Sequence, residues 1–168
     1  MNRPKAVGPR SQRSYRLTRI SALAALSVIG SLIHLPGPLP SIAFDSAPGF
    51  FAALFFGAED GAMVCAVGHL ATSVISGFPL GILHIPIALG LGAAGATIGM
   101  INRFDYPSSY ILALLVGVAI NTGLVILVVP LMGWDATLGL IPFLLLGSSV
   151  NASVAGAAYV AVKGRLRL

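Results

Sequence analysis

Two histidines lie within a strongly apolar stretch of the chain, "GHLATSVISGFPLGILHIPIAL", which runs from Gly68 to Leu89. An imidazole in hydrocarbon is costly unless it is paired, so His69 and His84 are candidates for function. Cys65 comes four residues before His69, which places both side chains on one face of a helix. A thiol and two imidazoles could bind a metal ion in a metal-dependent intramembrane enzyme, or simply pack in a core. A third possibility is a polar pocket for a small solute.

An acidic residue stands between two apolar stretches, in "SIAFDSAPGFF". Asp45 could cap the helix that follows it, with Pro48 in the first turn of that helix. It could instead be a carboxylate that binds a ligand in a loop on the outer side of a membrane. The sequence favours neither role over the other, and one residue could fulfil both.

Amide and aromatic side chains supply further candidates for a binding site. Asn121 and Asn151 fall in the middle of the last two apolar stretches, where they could join helices by hydrogen bonds or line a cavity. Phe44 and Phe78 could form aromatic walls. The chain contains no GxSxG, HExxH or P-loop motif, so we predict no catalytic residue, cofactor or metal. The predicted substrate-binding residues are Asp45, His69, His84, Phe44, Phe78, Asn121 and Asn151.

The elements that must position these residues are membrane helices. Of the 168 residues, 57% are hydrophobic and only 9% are charged, and the mean hydropathy is +0.94. Such a composition is typical of an integral membrane protein. Residues 1–16 are polar and basic and predict a disordered cytoplasmic tail, and residues 17–168 predict one all-α domain of six transmembrane helices. The apolar stretches lie at roughly 17–35, 47–58, 61–77, 81–101, 108–131 and 137–162.

The positive charges predict how the bundle is oriented. Six of the ten basic residues precede residue 20, three close the chain, and Arg103 falls between the fourth and fifth stretches. With six spans, all ten lie on one side, which the positive-inside rule makes cytoplasmic. No aromatic residues interleave the basic ones as a nucleic-acid surface would need, so we predict contact with lipid and none with nucleic acid. The predicted outer loops carry no Lys or Arg, so a solute bound there should be neutral or weakly cationic.

Small residues at a spacing of four occur in two of the predicted helices. They are Ser21 and Ala25, with Ser27 and Ser31, in the first helix, and residues 92–99 in the fourth. Such spacing lets helix backbones approach closely. The spacing does not indicate whether the partner helix belongs to the same chain.

The segment "FDSAPGFFAALFFGAEDGAMVCAVGHLATSVISGFPLGILHIPIAL", residues 44–89, resembles the substrate-binding S components of energy-coupling factor (ECF) transporters. It is similar to the subgroup associated with α-ribazole, a cobalamin precursor. The resemblance implies a six-helix membrane protein of the prokaryotic plasma membrane that binds a vitamin or vitamin precursor from outside. It also implies partners, namely a membrane coupling subunit and two cytosolic ATPase subunits, so that the chain itself is not an enzyme.

By the same resemblance, a small-residue face of the first helix docks on the coupling subunit, and Ser21 and Ala25 are the nearest match to that motif. α-Ribazole is uncharged near neutral pH and carries an aromatic base and a ribose. It therefore needs aromatic faces and hydroxyl partners. An S component for another neutral vitamin, the metal-dependent enzyme described above and a structural membrane adaptor are the alternatives.

Overall fold

The computed structural model describes residues 9–33, 43–104, 106 and 108–166. Its elements are helical, which confirms the predicted all-α class. Two short 3-10 segments, Gly81–Leu83 and Leu124–Val128, occur between the α-helices. In chain order the α-helices are α1 (Pro9–Ser31), α2 (Ala47–Phe56), α3 (Ala58–Ile75), α4 (His84–Asn102), α5 (Ser109–Gly123) and α6 (Val129–Leu166).

The described helices do not confirm the predicted count of six membrane spans. Two helical segments, Gly81–Asn102 and Ser109–Arg165, are long and apolar enough to cross a membrane. The second is broken at Gly133, whose φ of 76° and ψ of 174° are not helical. Helix α2 has ten residues and spans only about 15 Å, half the thickness of a hydrocarbon core. The six spans and their orientation therefore stay predictions.

Helix α1 begins at Pro9, within residues 1–16, for which the sequence predicts a disordered tail; the division into a tail and a membrane domain stays a prediction. A long-range ion-pair cluster holds the start of α1 on α3. Asp60 is almost fully buried and accepts hydrogen bonds from Arg16 Nε, at 2.7 Å, and from Arg19 Nε. Its partners, Asp60 first and then Glu59, raise the pKa of the Arg16 guanidinium. Asp60 lies in the first turn of α3, which begins without a side-chain cap bond.

Short helix α2 lies at the centre of the bundle and packs on α1, α3, α4 and α6. Its Phe50 is fully buried in the main apolar core. Only Gly57 separates α2 from α3, and its φ of 102° is one that side-chain-bearing residues rarely adopt.

Glycines allow α4 to lie directly against α3, as the spacing of small residues predicts. A Cβ at Gly95 would collide with Gly61, and one at Gly99 would collide with Ala58. The partner of this small-residue face is therefore α3 of the same chain.

The two small-residue pairs of α1 face different surroundings. Ser27 and Ser31 are fully buried, and Ser27 lies against Gly68 of α3. Ser21 and Ala25 are exposed. The first pair serves packing within the chain, whereas the second pair remains accessible to another protein or to lipid.

A hydrogen-bond network ties four helices together at the end of the bundle that carries Arg16, Arg103 and Lys163, which we call the basic end. Asn102 Nδ2 of α4 donates to the Leu54 carbonyl of α2, at 2.9 Å, and to Tyr159 Oη of α6, at 3.4 Å. Ser109 Oγ of α5 donates to Asn102 Oδ1 at 3.2 Å. With the cluster around Asp60, this network fixes the basic end, and the histidines lie toward the other end.

Candidate functional site

A small polar cavity of about 70 Å³ lies among the segment before α2 and helices α3, α4, α5 and α6. Four of the predicted site residues come together there, and their role in binding a ligand stays a prediction. The cavity also has residues outside the predicted set, of which Ser46 and Ser148 are polar. Its lining consists of Ala43, Asp45, Ser46, His69, Leu91, Asn121, Leu144, Gly147, Ser148 and Asn151.

The two histidines form a hydrogen-bonded chain that runs toward Asp45. His84 Nε2 accepts a bond of 3.3 Å from the backbone N–H of Leu80. In a neutral ring this leaves the proton on His84 Nδ1, which lies 3.2 Å from His69 Nε2. His69 Nε2 is then the acceptor, so His69 carries its own proton on Nδ1. That atom lies 3.8 Å from Asp45 Oδ2.

This chain explains how two imidazoles are tolerated in an apolar bundle. His84 is fully buried, and both of its ring nitrogens have partners. The backbone donor of Leu80 fixes the tautomer of His84, and His84 in turn fixes the tautomer of His69. In this pair of tautomers the Nδ1–H of His69 lies on the side of Asp45.

Asp45 does not cap α2, contrary to one of its two predicted roles. Helix α2 begins after Ser46, which makes no side-chain cap bond. The cap comes from α6, where Asn151 Oδ1 accepts a hydrogen bond of 2.8 Å from the Ala47 N–H. Asp45 Oδ1 instead accepts from Ser46 Oγ at 3.0 Å. Asp45 thus contributes a carboxylate, only 6% exposed, to the wall of the cavity.

Asn151 positions the segment that carries Asp45. Its Nδ2 donates to the carbonyls of Ala43 and Gly147, at 2.9 Å each. Both N–H groups of the Asn151 side chain donate to backbone carbonyls, and its oxygen already accepts one hydrogen bond. Asn151 therefore has no free donor for a ligand. Its geometry favours a positioning role.

Asn121 and Ser148 face each other across α5 and α6, with 3.1 Å between Asn121 Nδ2 and Ser148 Oγ. The bond leaves the Asn121 carbonyl oxygen available as an acceptor. Ser148 could have been found from the sequence, because it precedes Asn151 by three residues and so shares its helix face.

The predicted aromatic walls do not line this cavity. Phe78 packs its ring edge-to-face on His84, with 5.7 Å between the centroids, and is 42% exposed. Its φ of 52° is unfavourable for a residue with a side chain, by about 1–2 kcal/mol. Phe44 is half-buried, and its N–H donates to the Ile33 carbonyl at 3.3 Å. The third histidine, His34, lies outside the described residues.

Cys65 is separate from the cavity and packs against α2. A side chain at Gly49 would collide with the Cys65 sulfur. Among the described residues, no group of three or more His, Cys, Asp or Glu side chains is arranged to hold a metal ion. The geometry therefore does not favour the alternative of a metal site built from Cys65, His69 and His84.

The cavity is smaller than the pockets that usually hold drug-sized or vitamin-sized ligands, which measure about 300–1,000 Å³. A molecule of that size could enter the 70 Å³ cavity only if the surrounding helices move apart.

Comparison with known proteins identifies the family of this chain. The family model described as "ECF transporter, substrate-specific component" matches residues 15–162. The fold resembles the solved structure of the S component of a bacterial ECF transporter, with a TM-score of 0.69 and 23% identity, covering 93% of this chain and 99% of that one. A search of curated proteins finds no significant match. The chain therefore belongs to the family of substrate-specific components of ECF transporters.

Proposed function

We propose that this chain captures α-ribazole from outside the cell and delivers it inward as part of an ECF complex. The observation that carries the proposal is the cavity built around Asp45 and the His69–His84 chain. No Lys or Arg lines this cavity in the part of the chain that the structure describes. The proposal takes its ligand from the resemblance of residues 44–89 to the α-ribazole subgroup.

The chemistry of the cavity suits a neutral ligand that offers hydroxyl groups. A carboxylate oxygen of Asp45, the hydroxyl of Ser148 and the carbonyl oxygen of Asn121 can all accept hydrogen bonds. A ribose supplies the matching O–H donors. A phosphate or carboxylate on the ligand would instead be repelled by the buried charge of Asp45. Another neutral vitamin with hydroxyl donors is the second candidate.

The proposed arrangement in the membrane has six spans, with both termini in the cytoplasm of a prokaryotic cell. The basic end is then the inner end, and the polar cavity lies toward the outside. A cysteine introduced as Asp135→Cys should react with an impermeant thiol reagent added outside, and one introduced as Arg165→Cys should not. Reaction at position 165 from outside would contradict this topology.

Membership of the family implies association with the other components of an ECF complex, which supply ATP hydrolysis. We propose Ser21 and Ala25 as the docking face for the membrane coupling subunit. Both residues are exposed and lie one helical turn apart, so a partner helix could approach them closely.

The test of the proposed substrate is mass spectrometry of small molecules retained by the full-length protein, purified from cells supplied with α-ribazole. The unaltered protein should retain about one α-ribazole per chain, and the Asp45→Asn variant should retain less. Retention of a different neutral vitamin by the unaltered protein would replace α-ribazole with the second candidate. Retention of an anionic compound would contradict the proposed chemistry.

A further inference from the structure

A second and larger cavity lies on the outside of the bundle, between α5 and α6. This α5–α6 groove, formed by residues 110–118 and 149–161, has a volume of about 630 Å³. Leu114 and Val118 line one side, and Ala157 and Ala161 line the other. The Ser153 hydroxyl in its wall donates to a backbone carbonyl of its own helix at 2.8 Å. The groove therefore suits an apolar occupant.

The length of the groove matches one leaflet of a bilayer. Residues 149–161 of an α-helix rise about 18 Å. The hydrocarbon core of a bilayer is about 30 Å thick, so one leaflet contributes about 15 Å. An acyl chain that enters from one face of the membrane would therefore run along the groove and end near the midplane of the bilayer.

A cation stands at one end of the groove, two residues beyond its last lining residue. Lys163 follows Gly156 by two helical turns and so lies on the same face of α6. Its Nζ donates to Tyr159 Oη at 3.0 Å and lies 5.2 Å from the centre of the Tyr159 ring. That ring packs on Tyr110, which lines the groove, with 5.8 Å between the centroids. The ammonium group is thus separated by one aromatic ring from Tyr110, a residue that lines the groove.

We propose that the α5–α6 groove is a binding site for an anionic phospholipid. The acyl chain lies in the groove, and the headgroup phosphate pairs with Lys163 at the basic end. A cation at headgroup depth favours a lipid of net negative charge, because the phosphate of a zwitterionic lipid is already accompanied by its own ammonium group.

The other flank of α6 provides a matched control. There, α1, α2 and α6 form a second apolar groove of about 290 Å³, which we call the α1–α6 groove. Ala158 lines it, and no charged residue does so among the residues that the structure describes. A lipid in that groove would gain nothing from a negative headgroup.

The test uses the full-length protein in detergent, mixed with equal amounts of phosphatidylglycerol and phosphatidylcholine and examined by native mass spectrometry. The unaltered protein should retain phosphatidylglycerol in preference. Lys163→Gln should weaken that retention about fivefold, the effect of one cation near a headgroup. Ala157→Leu, which fills the α5–α6 groove, should reduce retention of phosphatidylglycerol at least as much.

Two controls keep the result specific. Ala158→Leu fills the α1–α6 groove, and Arg13→Gln removes an exposed cation from α1. Both should retain phosphatidylglycerol like the unaltered protein. Equal retention of the two lipids, or unchanged retention in Ala157→Leu, would overturn the proposal. Loss of assembly with the coupling subunit in Ala157→Leu, without loss of lipid, would identify the groove as a protein interface instead.

Discussion

Replacing His69 by alanine tests whether the histidine chain serves binding or only packing. His69 lines the cavity and is joined to His84 and Asp45. The substitution removes an imidazole from the cavity wall and leaves the Nδ1–H of His84 without its partner. We therefore expect both the affinity for α-ribazole and the free energy of unfolding to fall.

The size of each effect follows from the bonds that are lost. One buried hydrogen-bond partner removed from a ligand costs about 1–3 kcal/mol, or roughly 5- to 150-fold in dissociation constant. The unpaired N–H of His84 should lower the free energy of unfolding by a similar amount, about 1–3 kcal/mol. Titration calorimetry with α-ribazole measures the first effect, and thermal unfolding without ligand measures the second.

Cys65→Ala is the matched control, because Cys65 lies one turn earlier on the same helix but does not line the cavity. It should lower the melting temperature through lost packing and leave the affinity unchanged. If His69→Ala behaves in the same way, with affinity within about twofold of the unaltered protein, His69 is a packing residue and the reasoning is refuted.

Five further substitutions test other parts of the account. Asp45→Asn keeps an acceptor but removes the charge, so the dissociation constant for α-ribazole should rise about fivefold; an unchanged constant in calorimetry would remove Asp45 from the site. His84→Phe should lower the free energy of unfolding by about 1–3 kcal/mol, because it leaves the Leu80 N–H unpaired. It should weaken binding of α-ribazole less than His69→Ala does. Hydrogen exchange of the Leu80 amide should become faster, and an unchanged exchange rate would contradict the hydrogen-bond chain. Asp60→Asn should lower the free energy of unfolding by about 1–3 kcal/mol, since Asp60 is buried and its two arginine partners are half-exposed; an unchanged melting curve would contradict its role in holding α1. Ser21→Leu and Ala25→Leu should each block assembly with the coupling subunit, measured by co-purification, without changing α-ribazole affinity; assembly that survives both would exclude this docking face.

The sequence predicts those features that depend on neighbouring residues. The apolar stretches predict most of the helices, because helix-forming apolar runs are local signals. The glycines of residues 92–99 predict close packing, and the structure identifies α3 as the partner. The clustering of Asp45, His69, Asn121 and Asn151 could be anticipated because buried polar groups in an apolar bundle need one another.

Features that depend on distant residues could not be predicted in the same way. The cap of α2 comes from Asn151, which is 104 residues away from Ala47 in sequence. The early start of α1 depends on Asp60, which is 44 residues beyond Arg16. Each outcome is decided by tertiary contacts that outweigh local propensity.

The central claim is that a buried carboxylate and a hydrogen-bonded histidine pair select a neutral ligand with hydroxyl donors. The measurement that tests it most directly is a paired titration of the purified full-length protein with α-ribazole and with its 5′-phosphate. The account predicts saturable binding of one α-ribazole per chain and binding of the phosphate at least about tenfold weaker, since a like charge near Asp45 is repelled. Equal or tighter binding of the phosphate would contradict the account.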